Sequence, residues 1–287
     1  MKKTKLIRGL TILFITLFIF SIQGFSQGIS PDDPQYQVLK EQGDLPQPPA
    51  VNYNGPYPAV EQLDNSSRQC LLVPLDGTFT EFPANDDGSV GPINLGFMFD
   101  FYGTTQSQVY VNNNGNVSFG SPYSTYTPTG FPVSGFPMIA PFWADVDTRG
   151  LGSGICYYKL ESNRLIVTWD GVGYYNSNFD KLNTFQVIIT DGTDPVVGLG
   201  NNVAFSYDDM QWTTGDVSGG TNGFGGSPAT VGINRGDGVD FALIGLFDHE
   251  GIDYDGPGGN NDGVSYLDCK TFAFDASGED PILPTQF

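Results

Sequence analysis

From Leu71 to about Asp275 the chain is cut into short apolar runs by Gly, Asn, Asp and Pro, and this spacing constrains the fold more than any other feature. The segment VYVNNNGNVSF (109–119) shows the pattern best. Val109 and Val111 alternate with polar residues, Asn114-Gly115 supplies the positive φ angles of a tight turn, and Val117 and Phe119 resume the alternation. RLIVTWDGV, TFQVIIT, VAFSYDDM, FALIGLF and TFAFD read as further strands. No helical period separates them, so the expected architecture is all-β: an antiparallel β-sandwich with long Gly/Asp-rich loops. The 38 Gly, 20 Pro, 14 Tyr and 22 Phe fit short strands and tight turns better than long helices. A single domain of this kind fits the 287 residues.

The ends read differently. MKKTKLIRGL is basic, TILFITLFIF is apolar, and Gly24-Phe25-Ser26 offers small residues, so residues 1–26 are expected to be a secretory signal peptide. No later apolar run is long enough to span a bilayer, which predicts an exported protein, secreted, at the cell surface or in the periplasm. Residues 27–75, with PDDP, LPQPPA and GPYPAV, read as a proline-rich arm, extended or loosely packed. The β domain is expected over 76–275 and an irregular tail over 276–287. Loss of four basic residues with the leader takes the formal charge from −20 to −24. That charge repels nucleic acid and anionic membranes and attracts divalent cations; it also serves solubility. Cys70, Cys156 and Cys269 allow three single disulfide pairings. A Cys70–Cys269 staple would bracket the patterned region, while Cys156, in ICYYKL, reads as a small buried hydrophobe.

Seven segments then fall into a recognisable order: LGFMFDFYG (95–103), VYVNNNGNVSFG (109–120), IAPFWADVDTRG (139–150), LIVTWDGVGYY (165–175), NTFQVIITDG (183–192), FSYDDMQWTTGDVSGG (205–220) and ATVGINRGDGVDF (229–241). Together they resemble the nidogen-like (NIDO) domain family. The resemblance implies an extracellular β-rich module of cell–matrix adhesion and surface-layer assembly, with no family active site. The leader and stand-alone architecture read as those of a bacterial exported member.

The residues themselves offer little for catalysis. His249 is the only histidine and no G-x-S-x-G elbow accompanies it. One His cannot furnish a zinc site, and the neighbourhood of Cys156 offers nothing to lower its pKa. A glycosidase needs two carboxylates from separate elements flanking one bond, whereas Asp145 and Asp147 lie two apart on one strand. The expectation is therefore a non-enzyme.

Calcium suits the acidic groups better, since it accepts six to eight oxygens in flexible geometry. The loop DHEGIDYDGPGGNNDG (248–263) offers Asp248, Asp253, Asp255 and Asp262 as candidate ligands, although its spacing is not that of an EF-hand. Asp145 and Asp147 in IAPFWADVDTR form a second candidate pair. The alternative for that pair is structural: acceptors for turn amides at one end of the sandwich, with Arg149 as an ion partner. Trp143, Trp169 and Trp212 read as packing residues, or as ligand platforms if they face solvent beside the acidic clusters. GDVSGGTNGFGGSPA (215–229) reads as a binding loop or a long connection. These readings converge on a secreted adhesion or recognition module whose partner is a matrix protein, a surface protein or a glycan. A carbohydrate-binding or carbohydrate-active protein and a structural envelope or matrix component are the alternatives.

Overall fold

The computed structural model describes residues 29–49, 61–63, 70–259 and 261–278; the leader expected over 1–26 lies outside the described residues. One helix precedes the sandwich, α1 (Tyr36–Gln42). The first seven strands are β1 (Glu61–Leu63), β2 (Thr80–Phe82), β3 (Ser89–Phe101), β4 (Thr104–Asn112), β5 (Asn116–Ser118), β6 (Met138–Trp143) and β7 (Cys156–Leu160). The rest are β8 (Arg164–Tyr174), β9 (Asn178–Thr190), β10 (Val203–Met210), β11 (Ala229–Asn234), β12 (Phe241–His249), β13 (Asp262–Gly263) and β14 (Thr271–Phe274). They form two seven-stranded sheets, ordered β1-β14-β10-β9-β8-β7-β2 and β13-β12-β11-β6-β5-β4-β3. Pairing is antiparallel except where β13 joins β12.

The alternation legible in the sequence appears directly in β3. Leu95, Phe97, Phe99 and Phe101 are buried while Gly96, Met98 and Asp100 face solvent. Their rings join a core between the sheets with Val109, Val117, Phe142, Trp169, Phe185, Phe205 and Trp212. Central strands do not alternate in exposure because both of their faces are covered. On β6, Met138, Ala140 and Trp143 pack outward against Tyr123, Phe131 and Val133 of the preceding loop. On the other sheet, Ile166, Ile188 and Ala204 lie beneath Leu72, Val73 and Phe79. All three tryptophans are fully buried, so they are packing residues.

The hairpin turn falls where Asn-Gly chemistry places it. Gly115 has φ 71°, and an added Cβ would meet the Phe142 carbonyl oxygen at 1.8 Å. Cys70 and Cys269 are disulfide-bonded across 199 residues, and Cys156 is free and buried.

The proline-rich arm departs from expectation. Rather than being extended throughout, it forms α1, closed by Gly43 in a left-handed conformation, and β1, which pairs with β14 at a sheet edge. The helix buries Tyr36 and Lys40, four residues apart and so on one face. Prolines flank YQVLKEQ without entering it, so the local composition conceals about two turns of helix whose stability comes from what it docks against.

Candidate functional site

The helix docks at one end of the sandwich, where the connection leading into β3 meets the residues just after β6. Two aspartates come from the turn NDDG and one from the end of IAPFWAD. Asp86 is fixed by an isolated bridge to Asp147, and Val146 by a bridge to Tyr174. The NNNG turn holds the ring from below. Asn114 donates to Asp87 at 2.6 Å and accepts from the Val146 amide, while Asn113 donates to the Val146 carbonyl at 2.6 Å.

Into this ring projects Lys40, with no exposed surface. Its Nζ lies 3.0 and 3.1 Å from the two oxygens of Asp86, 2.7 Å from Asp87 Oδ2 and 2.7 Å from Asp145 Oδ1. The ring of Tyr126 stands 4.3 Å from the same nitrogen and that of Tyr175 4.2 Å, each presenting a π face to the cation. Tyr36 donates to Asp87, Gln37 donates to Asp86, and Arg149 bridges Asp86 and Asp147. Among the described residues Asp145 receives no comparable support: Oδ1 accepts from Lys40, and Oδ2 has no hydrogen-bond partner. Gly215 closes against it, because an added Cβ there would lie 2.7 Å from Oδ2.

The electrostatics follow from this crowding. Burial, then the neighbouring Asp87, push the Asp86 carboxyl up to about 7. Burial raises Asp145 well above the usual carboxylate range against the opposing pull of Lys40. Burial alone would lower Lys40, but Asp145, Asp87 and Asp86 together outweigh it and hold the amine above its ordinary value. Three carboxylates this close are able to hold a metal ion. The position among them is taken by a cation belonging to the chain itself.

The residues singled out by sequence are dispersed. Asp147 does what a turn acceptor does, taking the amides of Arg149 and Ser177 and a two-point ion pair from the Arg149 guanidinium at 2.8 and 2.7 Å. Asp145 faces Lys40 and shares no ligand with Asp147. In the acidic loop, Asp248 and Asp253 grip opposite nitrogens of His249 at 2.6 and 3.0 Å. Asp262 is buried, accepting from the Leu246 and Asp255 amides, and faces the Asp255 carboxyl. The run 215–229 is folded through its own backbone bonds, among them Gly220 to Gly215 and Ser227 to Ser218. Lys40, Asp86, Asp87, Tyr126 and Tyr175 were not evident from sequence. The only local cue was the Tyr36/Lys40 spacing on a short amphipathic stretch.

Beside the cage, between arm and sandwich, lies a cavity of about 500 Å³. Tyr36, Leu45, Pro46, Phe82, Tyr110 and Tyr123 contribute to its wall. Its size is that of a small-ligand pocket, roughly 300–1,000 Å³.

A two-sheet β module closed by a helical arm defines a class of scaffold rather than a reaction. The sequence profile of the family described as NIDO related matches residues 67–247, and the chain belongs to that family. It is 36% identical to alpha-tectorin of Gallus gallus over 203 residues and 35% identical to that of Mus musculus over 200, in each case 60% of this chain and 9% of the relative. Nidogen of Drosophila melanogaster is 28% identical over 175 residues, 47% of this chain and 12% of the relative. The chain thus spans about a tenth of the length of these relatives. No solved structure matches it. Among the described residues, no helix is long and apolar enough to cross a membrane.

Proposed function

We propose that this protein is an exported, non-catalytic recognition module that attaches to an extracellular partner, a matrix or surface protein or a glycan. The observation that carries the reading is the closure of the acidic ring. The carboxylates that converge from separate elements, as a hydrolase would need, are capped by Lys40 and two tyrosines; of the three, Asp87 borders the adjoining cavity, with its oxygens held by Tyr36, Lys40 and Asn114. Recognition then falls to the rim, where the cavity beside the arm offers a concavity of small-ligand size. Kinship with nidogens and alpha-tectorins supports an adhesive setting. Binding to a glycan and matrix-protein array, with the Tyr110→Ala variant alongside, tests this. Saturable binding without product, weakened by Tyr110→Ala, is expected; turnover of any glycan would defeat it.

Calcium in the 248–262 loop is a second reading, favoured by one pair of groups. Asp262 is pushed up to about 7 by burial and then by hydrogen bonding to the Asp255 carboxyl, and a divalent ion between the two side chains would satisfy both. Asp248 and Asp253 would have to release His249 to join them. Thermal melting at millimolar calcium should show a rise in Tm that Asp262→Asn removes. An unchanged Tm would set calcium aside.

A further inference from the structure

Lys40 and Asp145 are brought together from positions 105 residues apart, and every feature of their surroundings bears on how they react. Both side chains are completely buried, and Tyr126 and Tyr175 shield the amine on two sides. The 2.7 Å hydrogen bond from Nζ to Asp145 Oδ1 holds the amine directly against the carboxyl group it would attack. Asp87 is held as an acceptor by Tyr36 and Asn114, and Asp86 by Gln37 and Arg149. Among the described residues, Asp145 has the amine on one oxygen and no partner on the other.

We propose that Lys40 and Asp145 condense to an intramolecular isopeptide bond that fastens the N-terminal arm covalently to the sandwich. The ammonium first gives a proton to Asp86, whose carboxylate already touches Nζ, and Asp86 passes that same proton to the adjacent Asp145, which becomes a neutral acid while Asp86 is again a carboxylate. The free amine attacks the Asp145 carboxyl carbon, the N–C bond forms, and one C–O bond breaks. The departing oxygen leaves as water, carrying the protons relayed through Asp86. One ammonium and one carboxylate become one amide and one water, with no oxidant, metal or activating group required. Burial of an ion pair beside two further carboxylates is unfavourable in low dielectric, and conversion to an amide removes one charge of each sign. It also replaces a bare carboxylate oxygen by a neutral carbonyl, whose desolvation costs less. Exclusion of water protects the product from hydrolysis. Asp86 contacts Nζ through both of its oxygens, which places it to take and return the proton.

The reading of Asp145 as electrophile and Asp86 as base is independent of what the module binds. A cross-linked chain without a ligand, or a binding chain without the cross-link, tells the two apart. The test is the intact mass of the folded full chain after reduction of its disulfide, followed by peptide mapping. The expected mass is about 18 Da below the residue sum from the measured N terminus, one water lost. Mapping should recover a branched peptide joining residues 40 and 145. Lys40→Arg and Asp145→Ala should restore the full residue mass, and Asp86→Ala should slow or abolish the loss. A full residue mass in the folded native chain, or a water loss mapped to any other pair, overturns the proposal. Wild-type cross-linking rates in Asp86→Ala would remove Asp86 from the step. Because the decisive measurement is on the native sequence, poor folding of a variant does not weaken it.

Discussion

At the scale of single residues, Lys40 shows how a buried charge is tolerated when every donor is used. Its ammonium meets three carboxylates and two aromatic faces, and removing it strands the acids in a dry site. Lys40→Met keeps much of the side-chain volume, so its effect reports loss of the amine, as ion partner or as cross-link, rather than a void. We expect a loss of about 3–5 kcal/mol in denaturant unfolding. Titration of the same ring has a defined sign. Asp86 binds its proton more tightly in the folded chain, being raised to about 7 by burial and Asp87. Its contribution is therefore complete below the ordinary carboxylate range and lost as pH rises through about 7. Asp262, raised to about 7, and Asp268, raised by burial to about 6, act in the same direction. Asp76, lowered by its hydrogen bond to Thr78, leans the other way but sits in solvent and counts for little. Calorimetry should give a higher Tm at pH 5 than at pH 8, with the difference reduced in Asp86→Asn.

At the scale of elements, the hairpin between β4 and β5 and the helix α1 mark the two extremes of legibility. The hairpin was readable because its determinants are adjacent: Asn114-Gly115 and the valines on either side decide it locally. Gly115→Ala is expected to cost at least about 1–2 kcal/mol from the left-handed backbone alone, with more from the Phe142 carbonyl, as an urea melt would show. The helix was not readable, because seven residues gain stability only from their dock, and the partners of Lys40 lie 46, 47 and 105 positions away. The pattern IAPFWADVDTR falls between these cases. Ala144 and Val146 are buried in the core beyond the end of β6, and Asp147 holds a turn by accepting the Arg149 amide. An irregular register between β6 and β11, where Trp143 and Ala140 face Thr230 and Gly232, aims the end of the segment at the cage. No spacing rule in a single sequence announces that Asp145 waits for a lysine from the arm.

At the scale of the whole molecule, two devices join the chain's early residues to its late ones. The pairing of β1 with β14 extends one sheet, and Cys70–Cys269 encloses nearly all of the β structure. Closing so long a loop restricts the unfolded chain and adds about 3–5 kcal/mol by loop-entropy reasoning. The double variant Cys70→Ser, Cys269→Ser should retain the sandwich and melt lower, by about 2–4 °C per kcal/mol lost, when scanned by circular dichroism. The same bond has a mechanical meaning. Tension entering before residue 70 and leaving after residue 269 is carried across one covalent bridge, so the enclosed strands never bear the load in series. Stretched in the oxidised state, the chain would yield only its outer segments; reduction would release about 3.3–3.6 Å of slack for each residue of hidden length.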